Sequence, residues 1–496
     1  MMPKAFRAAA LALAAIAPLL GGCETNPATG ARSFTGFMSP EKELEVGREQ
    51  HPQIVREFGG EIDDPKLRAY VDRIGQALAK HSEMPDLKFT FTVLDSEITN
   101  AFALPGGYVY VTRGLLTLAS SEAELAGVIG HEIGHVTARH TAQRYSRGVL
   151  TGIGTAAVGI LEGIFLGTNV IGQVGAQAGQ VYLASFSRDQ EFEADTLGVR
   201  YLARSGYDPA AMSSFLAKLQ AESALQAELA GKPGADNELN IMATHPRTQD
   251  RVREAIEAAK AQGGAPANPR VGADEYLNEI DGMSYGGDRK SGFIRNRTFV
   301  HPALRFQFEV PPGFMLVNSD KNVKAQGPNG ATIVFDRDAR TQAAGMAMTN
   351  YLQGVWARGV RLQGVERLDI NGMEAATGAT RLNSNAGPRD VRLVAIRFDP
   401  QTIYRFMFIT VPAQTGALNE QLRRTTYSFR KLSEQEAANA KPLRIRVVTV
   451  GAGDTVDSLA RRMAFDTAQA ARFRMLNGLA PDASLRPGQR VKIIAD

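Results

Sequence analysis

The five residues His131-Glu132-Ile133-Gly134-His135 constrain the fold more than any other feature of the chain. On a helix, positions 131 and 135 lie ~40° apart and ~6 Å along the axis, so two imidazoles can converge on one divalent metal. Glu132 is one residue step off that stripe, free to reach a water molecule without ligating. Ser121 and Glu124 predict a capping box that starts the helix, with Leu125, Val128, Ile129 and Val136 as its buried side. Gly127, Gly130 and Gly134 would let another helix approach closely. Catalytic zinc needs a third protein ligand and an open position. His140 lies five residues after His135 without the glycine turn that a third histidine would need.

A carboxylate is the other choice. Ser187 and Gln190 predict a second capped helix through Ser187-Arg188-Asp189-Gln190-Glu191-Phe192-Glu193-Ala194-Asp195. Glu191, Asp195 and Gly198 share one face of it, whereas Glu193 is turned away by ~200°. His-Glu-x-x-His followed by Glu-x-x-x-Asp resembles the HtpX/BepA/CAAX-protease-like group of gluzincin zinc metallopeptidases. The resemblance covers roughly residues 40–260 and includes Asn-Pro-Ala-Thr-Gly at 26–30 and the segment 100–116. It implies Glu191 as third zinc ligand, with His131 and His135, and Asp195 as the acceptor that orients a ligand histidine. It also implies Glu132 as general base, and His245 as a fourth ligand and latch or as an aid to the transition state. Arg251 is the arginine that follows. The strand around Gly107–Val111 is the implied edge for an extended substrate. Relatives place membrane spans between the two metal helices; here 149–187, with Glu162 as its only charge, reads as a helical flap over the site.

The N-terminus addresses the protein. Lys4 and Arg7 precede an apolar run of 13 residues, Ala8–Leu20, too short for an ordinary span of the ~30 Å hydrocarbon core. Leu20-Gly21-Gly22-Cys23 resembles the lipobox of bacterial lipoproteins, which implies acylation of Cys23 and a membrane anchor. Cys23 is the single cysteine, so neither an intramolecular disulfide nor a cysteine zinc cluster is expected. Glu24, in place of aspartate, points to the outer membrane. Removing Lys4 and Arg7 leaves 54 basic against 52 acidic residues, a net +2 with no case for nucleic acid.

At 496 residues the chain exceeds one ~150-residue domain about threefold. The expected division is a signal peptide at 1–22, a tether at 23–38, a zinc metallopeptidase domain at 39–262 and a linker at 263–272. An α+β accessory domain at 273–432, a linker at 433–443 and a terminal module at 444–496 complete it. The metallopeptidase part should be mainly helical with a small β-sheet. Residues 444–496, with Gly453-Asp454-Thr455 and Arg486-Pro487-Gly488-Gln489, resemble a LysM domain. That implies a βααβ fold binding N-acetylglucosamine glycans such as peptidoglycan. In the middle region Leu304, Phe306, Phe308 and Val310 alternate as a strand, and helices are expected over Thr349–Arg358 and Leu418–Leu432. His301 reads as a surface histidine.

Together these readings describe a periplasmic, outer-membrane-anchored zinc endopeptidase for misassembled envelope proteins, with outer-membrane assembly machinery as a partner. Two other readings stay open: an assembly chaperone whose protease is latched shut, and a peptidoglycan-binding tether.

Overall fold

The computed structural model describes residues 23–151, 186–229, 257, 266–319, 322–338, 345–384 and 387–496. Its first element departs from the expected tether. Cys23–Thr25 pairs antiparallel with Arg32–Phe34, and Asn26 Oδ1 accepts from the Ala28 N–H at 2.9 Å to close the turn. Ala28 is buried in the main core.

The helix Pro40–Glu57 is capped by Ser39 and carries proline in its first turn. The next, Pro65–Ala79, is capped by Asp64 and buries Leu67, Val71, Ile74 and Leu78. Its apolar face packs on a three-stranded sheet in which Tyr108–Thr112 is central, parallel to Thr90–Leu94 and antiparallel to Ala101–Leu104.

The motif helix Glu122–Thr137 is buried on all sides rather than along one stripe. Val136, read as core, is the residue that is partly exposed. A helix of this kind needs neighbours all round. Arg188–Arg204, Ala211–Leu229 and Pro65–Ala79 supply them.

Residues 273–285, assigned by sequence to the second domain, pack instead with the first core. Tyr276 and Ile280 of the helix Ala273–Ile280 are fully buried there, and Tyr276 donates to the Leu116 carbonyl at 2.6 Å. Ser284–Tyr285 then adds a third strand to the terminal module, pairing antiparallel with Leu443–Thr449. That module runs Leu443–Thr449, Val456–Ala460, Gln469–Asn477, Arg490–Ala495, the βααβ order expected. Its Ile445, Leu459, Phe473 and Ile493 belong to the same cluster as Leu116 and Leu125.

Between these parts lie a seven-stranded antiparallel sheet and a four-stranded one, which share a core of Phe306, Phe308, Phe335, Phe406 and Phe429. Leu304 is exposed in a turn, and the strand is Phe306–Glu309. The segment expected as a helix over Thr349–Arg358 is one short helix, Met348–Tyr351, widening into a π turn at Leu352–Trp356. The later helix is Pro412–Ser428, starting at a proline. His301 is buried beside Phe306, and burial pushes its pKa down to about 4. The region 433–443 contains a capped helix, Glu434–Asn439. Among the described residues no helix is long and apolar enough to cross a membrane.

Candidate metal centre

Two helices cross at their glycines. A Cβ placed on Gly130 would sit 3.2 Å from the Gly198 carbonyl oxygen, and one on Gly134 3.0 Å from that of Ala194. Only hydrogen at these positions permits such an approach. The second helix, Arg188–Arg204, begins with the predicted Ser187/Gln190 capping box. The first is capped differently from expectation. Ser121 accepts from the Glu124 N–H, but Glu124 bonds the Ser120 N–H and the buried Lys218 ammonium, each at 2.7 Å.

The crossing delivers three donors to one point. His131, His135 and Glu191 each present a ligand atom, all within 4.8 Å of one another. The Nε2 atoms of the two histidines are 3.0 Å apart. Glu191 Oε1 is 3.4 Å from His135 Nε2, and its Oε2 is 3.8 Å from His131 Nε2. All three side chains are essentially sealed from solvent. Burial holds the His135 imidazole well below its usual pKa, opposed by its hydrogen bond to Glu191. The His135 ring is thus disposed to be a neutral ligand at pH 7.

Each ligand histidine is held from behind. His131 Nδ1 lies 2.7 Å from Asp195 Oδ1, the arrangement that the family resemblance implied. His135 Nδ1 lies 2.8 Å from Nδ1 of His140. His140 is therefore neither a ligand nor a bystander. Sequence reasoning set it aside because no glycine lies between residues 135 and 140 to turn the chain back. In the structure the helix ends at Thr137 and Arg139 takes a left-handed φ of 55°, which swings His140 back. Arg139 is held in that strained conformation by Glu24, by Glu43 at 3.1 Å and by the Met38 carbonyl at 2.8 Å. Phe186 stacks on His135 with ring centroids 4.0 Å apart.

Two imidazoles and one carboxylate, converging and buried, match a catalytic zinc site with three protein ligands. The donor set fits that metal. Glu132, 1% exposed, follows His131 directly in the chain. A small cavity of about 70 Å³ reaches His135 and is lined by Ala103, Leu104, Pro105 and Gly106. The strand at this cavity is thus the edge Ala101–Leu104. Tyr108–Thr112, expected as a free edge, is paired on both sides. His245, Arg251 and nearly all of the 149–187 flap lie outside the described residues. The backbone of Cys23 is paired in the N-terminal hairpin.

Comparison with known proteins agrees with this geometry. Residues 65–259 match peptidase family M48, and residues 448–493 match the LysM domain. The chain is 31% identical over 290 residues to a beta-barrel assembly-enhancing protease of Yersinia pestis, covering 55% of this chain and 57% of that one. It is 34% identical over 208 residues to a putative beta-barrel assembly-enhancing protease of Vibrio cholerae, covering 40% of each. A mitochondrial metalloendopeptidase OMA1 of Arabidopsis thaliana is 31% identical over 198 residues, 40% of this chain and 37% of that one. The chain thus spans about half the length, or less, of these relatives.

Proposed function

We propose that this chain, which carries a peptidase family M48 domain followed by a LysM domain, is a zinc-dependent endopeptidase of the bacterial envelope. The observation that carries the reading is the buried His131, His135 and Glu191 triad, with Asp195 fixing His131 from behind. When bound, zinc supplies Lewis acidity to the scissile carbonyl and to water. Glu132 takes the proton of the attacking water and delivers it to the leaving amine. His245 and Arg251 are proposed to assist the transition state, His245 also as a fourth ligand that can latch the site. The edge Ala101–Leu104, beside the cavity at His135, is the proposed rail onto which an extended substrate adds as a strand.

The wider reading is a lipoprotein, cleaved before Cys23 and anchored through it at the periplasmic side of the outer membrane. Its proposed substrates are misassembled envelope proteins, in keeping with relatives named beta-barrel assembly-enhancing protease. The LysM domain is proposed to hold peptidoglycan. The proposed domains are 39–262, 273–432 and 444–496, with 273–285 packed into the first core.

Three experiments test this. Glu132→Gln should retain about one zinc per chain and lose hydrolysis of an unfolded protein such as casein by at least ~10²-fold. Wild-type hydrolysis by that variant would remove Glu132 from its role. If His245 latches the site, His245→Ala should cleave faster than wild type; no difference discards the latch. Full-length protein should sediment with purified sacculi in competition with chitin oligomers, and a failure to sediment removes the glycan reading.

A further inference from the structure

The relay behind His135 does not stop at His140. His140 Nε2 lies 3.1 Å from Glu193 Oε2, and Glu193 Oε1 accepts from Asn26 Nδ2 at 2.8 Å. Asn26 sits in the N-terminal hairpin, 167 residues from Glu193 and three from Cys23. His140 is fully buried and Asn26 is 3% exposed, so neither exchanges these bonds freely with water. Glu193 stands on the face of its helix opposite to Glu191, where it has no access to the metal point; its partners explain its place there.

The proton assignment along this line is forced. A histidine that ligates through Nε2 keeps its proton on Nδ1. His135 Nδ1–H must then donate to Nδ1 of His140, which leaves the proton of a neutral His140 on Nε2. That proton points at Glu193, whose second oxygen takes the amide hydrogen of Asn26. Every bond has one polarity, and all agree with metal coordination at the far end.

We infer that His140, Glu193 and Asn26 form a positioning relay for the metal ligand His135, and that the relay makes the hairpin next to Cys23 part of the metal centre. The inference rests on the metallopeptidase reading above. A second tie strengthens it. Arg139, which turns the chain to present His140, is itself gripped by Glu24 of the same hairpin. Arg200 also reaches the Ala28 carbonyl, at 3.5 Å. The segment at the proposed anchor is thus seated on both helices that supply ligands, and lifting it would release the back of His135.

The test uses the full-length protein and zinc affinity, measured by competition with a chromophoric chelator. Outer-shell partners of ligand histidines typically change metal affinity by about 10–100-fold. Glu193→Ala and Asn26→Asp should each weaken zinc binding within that range. Asn26→Asp keeps an acceptor for the Ala28 N–H and sets a carboxylate against Glu193, so it disturbs the relay and spares the turn. Glu193→Gln, which still offers an oxygen to His140, should recover part of the loss. The ligand-field spectrum of the cobalt-substituted protein should shift in Glu193→Ala, which a purely structural role for Glu193 would not produce. Affinities of both variants within about twofold of wild type, with unchanged cobalt spectra, overturn the relay. A wild-type protein that binds no zinc overturns the metallopeptidase reading and the relay together.

Discussion

Replacing Gly198 by alanine tests how the fold sets the metal site. The added methyl would lie 2.9 Å from the His131 backbone nitrogen, 2.9 Å from Met212 Cε and 3.1 Å from the Gly130 carbonyl carbon. Methionine can yield, but two of the three atoms are backbone of the facing helix. To restore ordinary contact the helices must part by about half an ångström or more. His131 and His135 ride on one helix and Glu191 on the other, so the separation adds directly to the histidine–carboxylate distances. Zinc tolerates about ±0.2 Å in its ligand distances. Zinc affinity should therefore fall at least ~10-fold, and overpacking should destabilise the fold by about 1–3 kcal/mol before the helix propensity of alanine returns ~1 kcal/mol. Gly127→Ala is the internal control. Its methyl would meet Met212 Cα at 3.5 Å and Leu202 Cδ1 at 3.6 Å, both ordinary contacts. That variant should keep wild-type zinc affinity and unfold at equal or higher urea concentration. Chelator competition and urea titration read both effects. Wild-type zinc affinity in Gly198→Ala, or an equal loss in Gly127→Ala, would refute the argument.

Lys492→Ala should separate the LysM domain from the peptidase body. Its buried ammonium donates to the carbonyls of Thr117, Leu118 and Ala119 at 2.7, 3.1 and 2.5 Å. Losing these leaves buried carbonyls unpaired, a destabilisation of about 1–3 kcal/mol visible as a lower Tm; an unchanged Tm would show that the contact holds nothing. Stability should also respond to Glu43, whose carboxyl is pushed up to about 7 by burial despite the Arg139 guanidinium beside it. A carboxyl raised from 4.5 in the unfolded chain contributes stability that is fully present below pH 4.5 and is lost as pH rises through 7. Glu43→Gln should therefore flatten the stability profile between pH 4.5 and 7 relative to wild type, and parallel profiles would remove Glu43 from this role.

What the sequence by itself determined was local. Helix periodicity put His131 with His135, and Glu191 with Asp195, on shared faces, Ser187 with Gln190 marks where the second helix starts, and the family resemblance supplied the roles of Glu191 and Asp195. The LysM order was legible for the same reason, since its turns carry their own signals at Gly453-Asp454-Thr455 and Pro487-Gly488. Tertiary structure decided the rest. His140 came into the site through the left-handed turn at Arg139, which Glu24 and Glu43 stabilise from 115 and 96 residues away. Tyr108–Thr112 reads like any edge strand until Ala101–Leu104 is seen to cover it. Lys492, a basic residue on the closing strand Arg490–Ala495, turns into a carbonyl nest because the peptidase body covers that face. In each case the deciding partner is remote in sequence, and only packing brings it near.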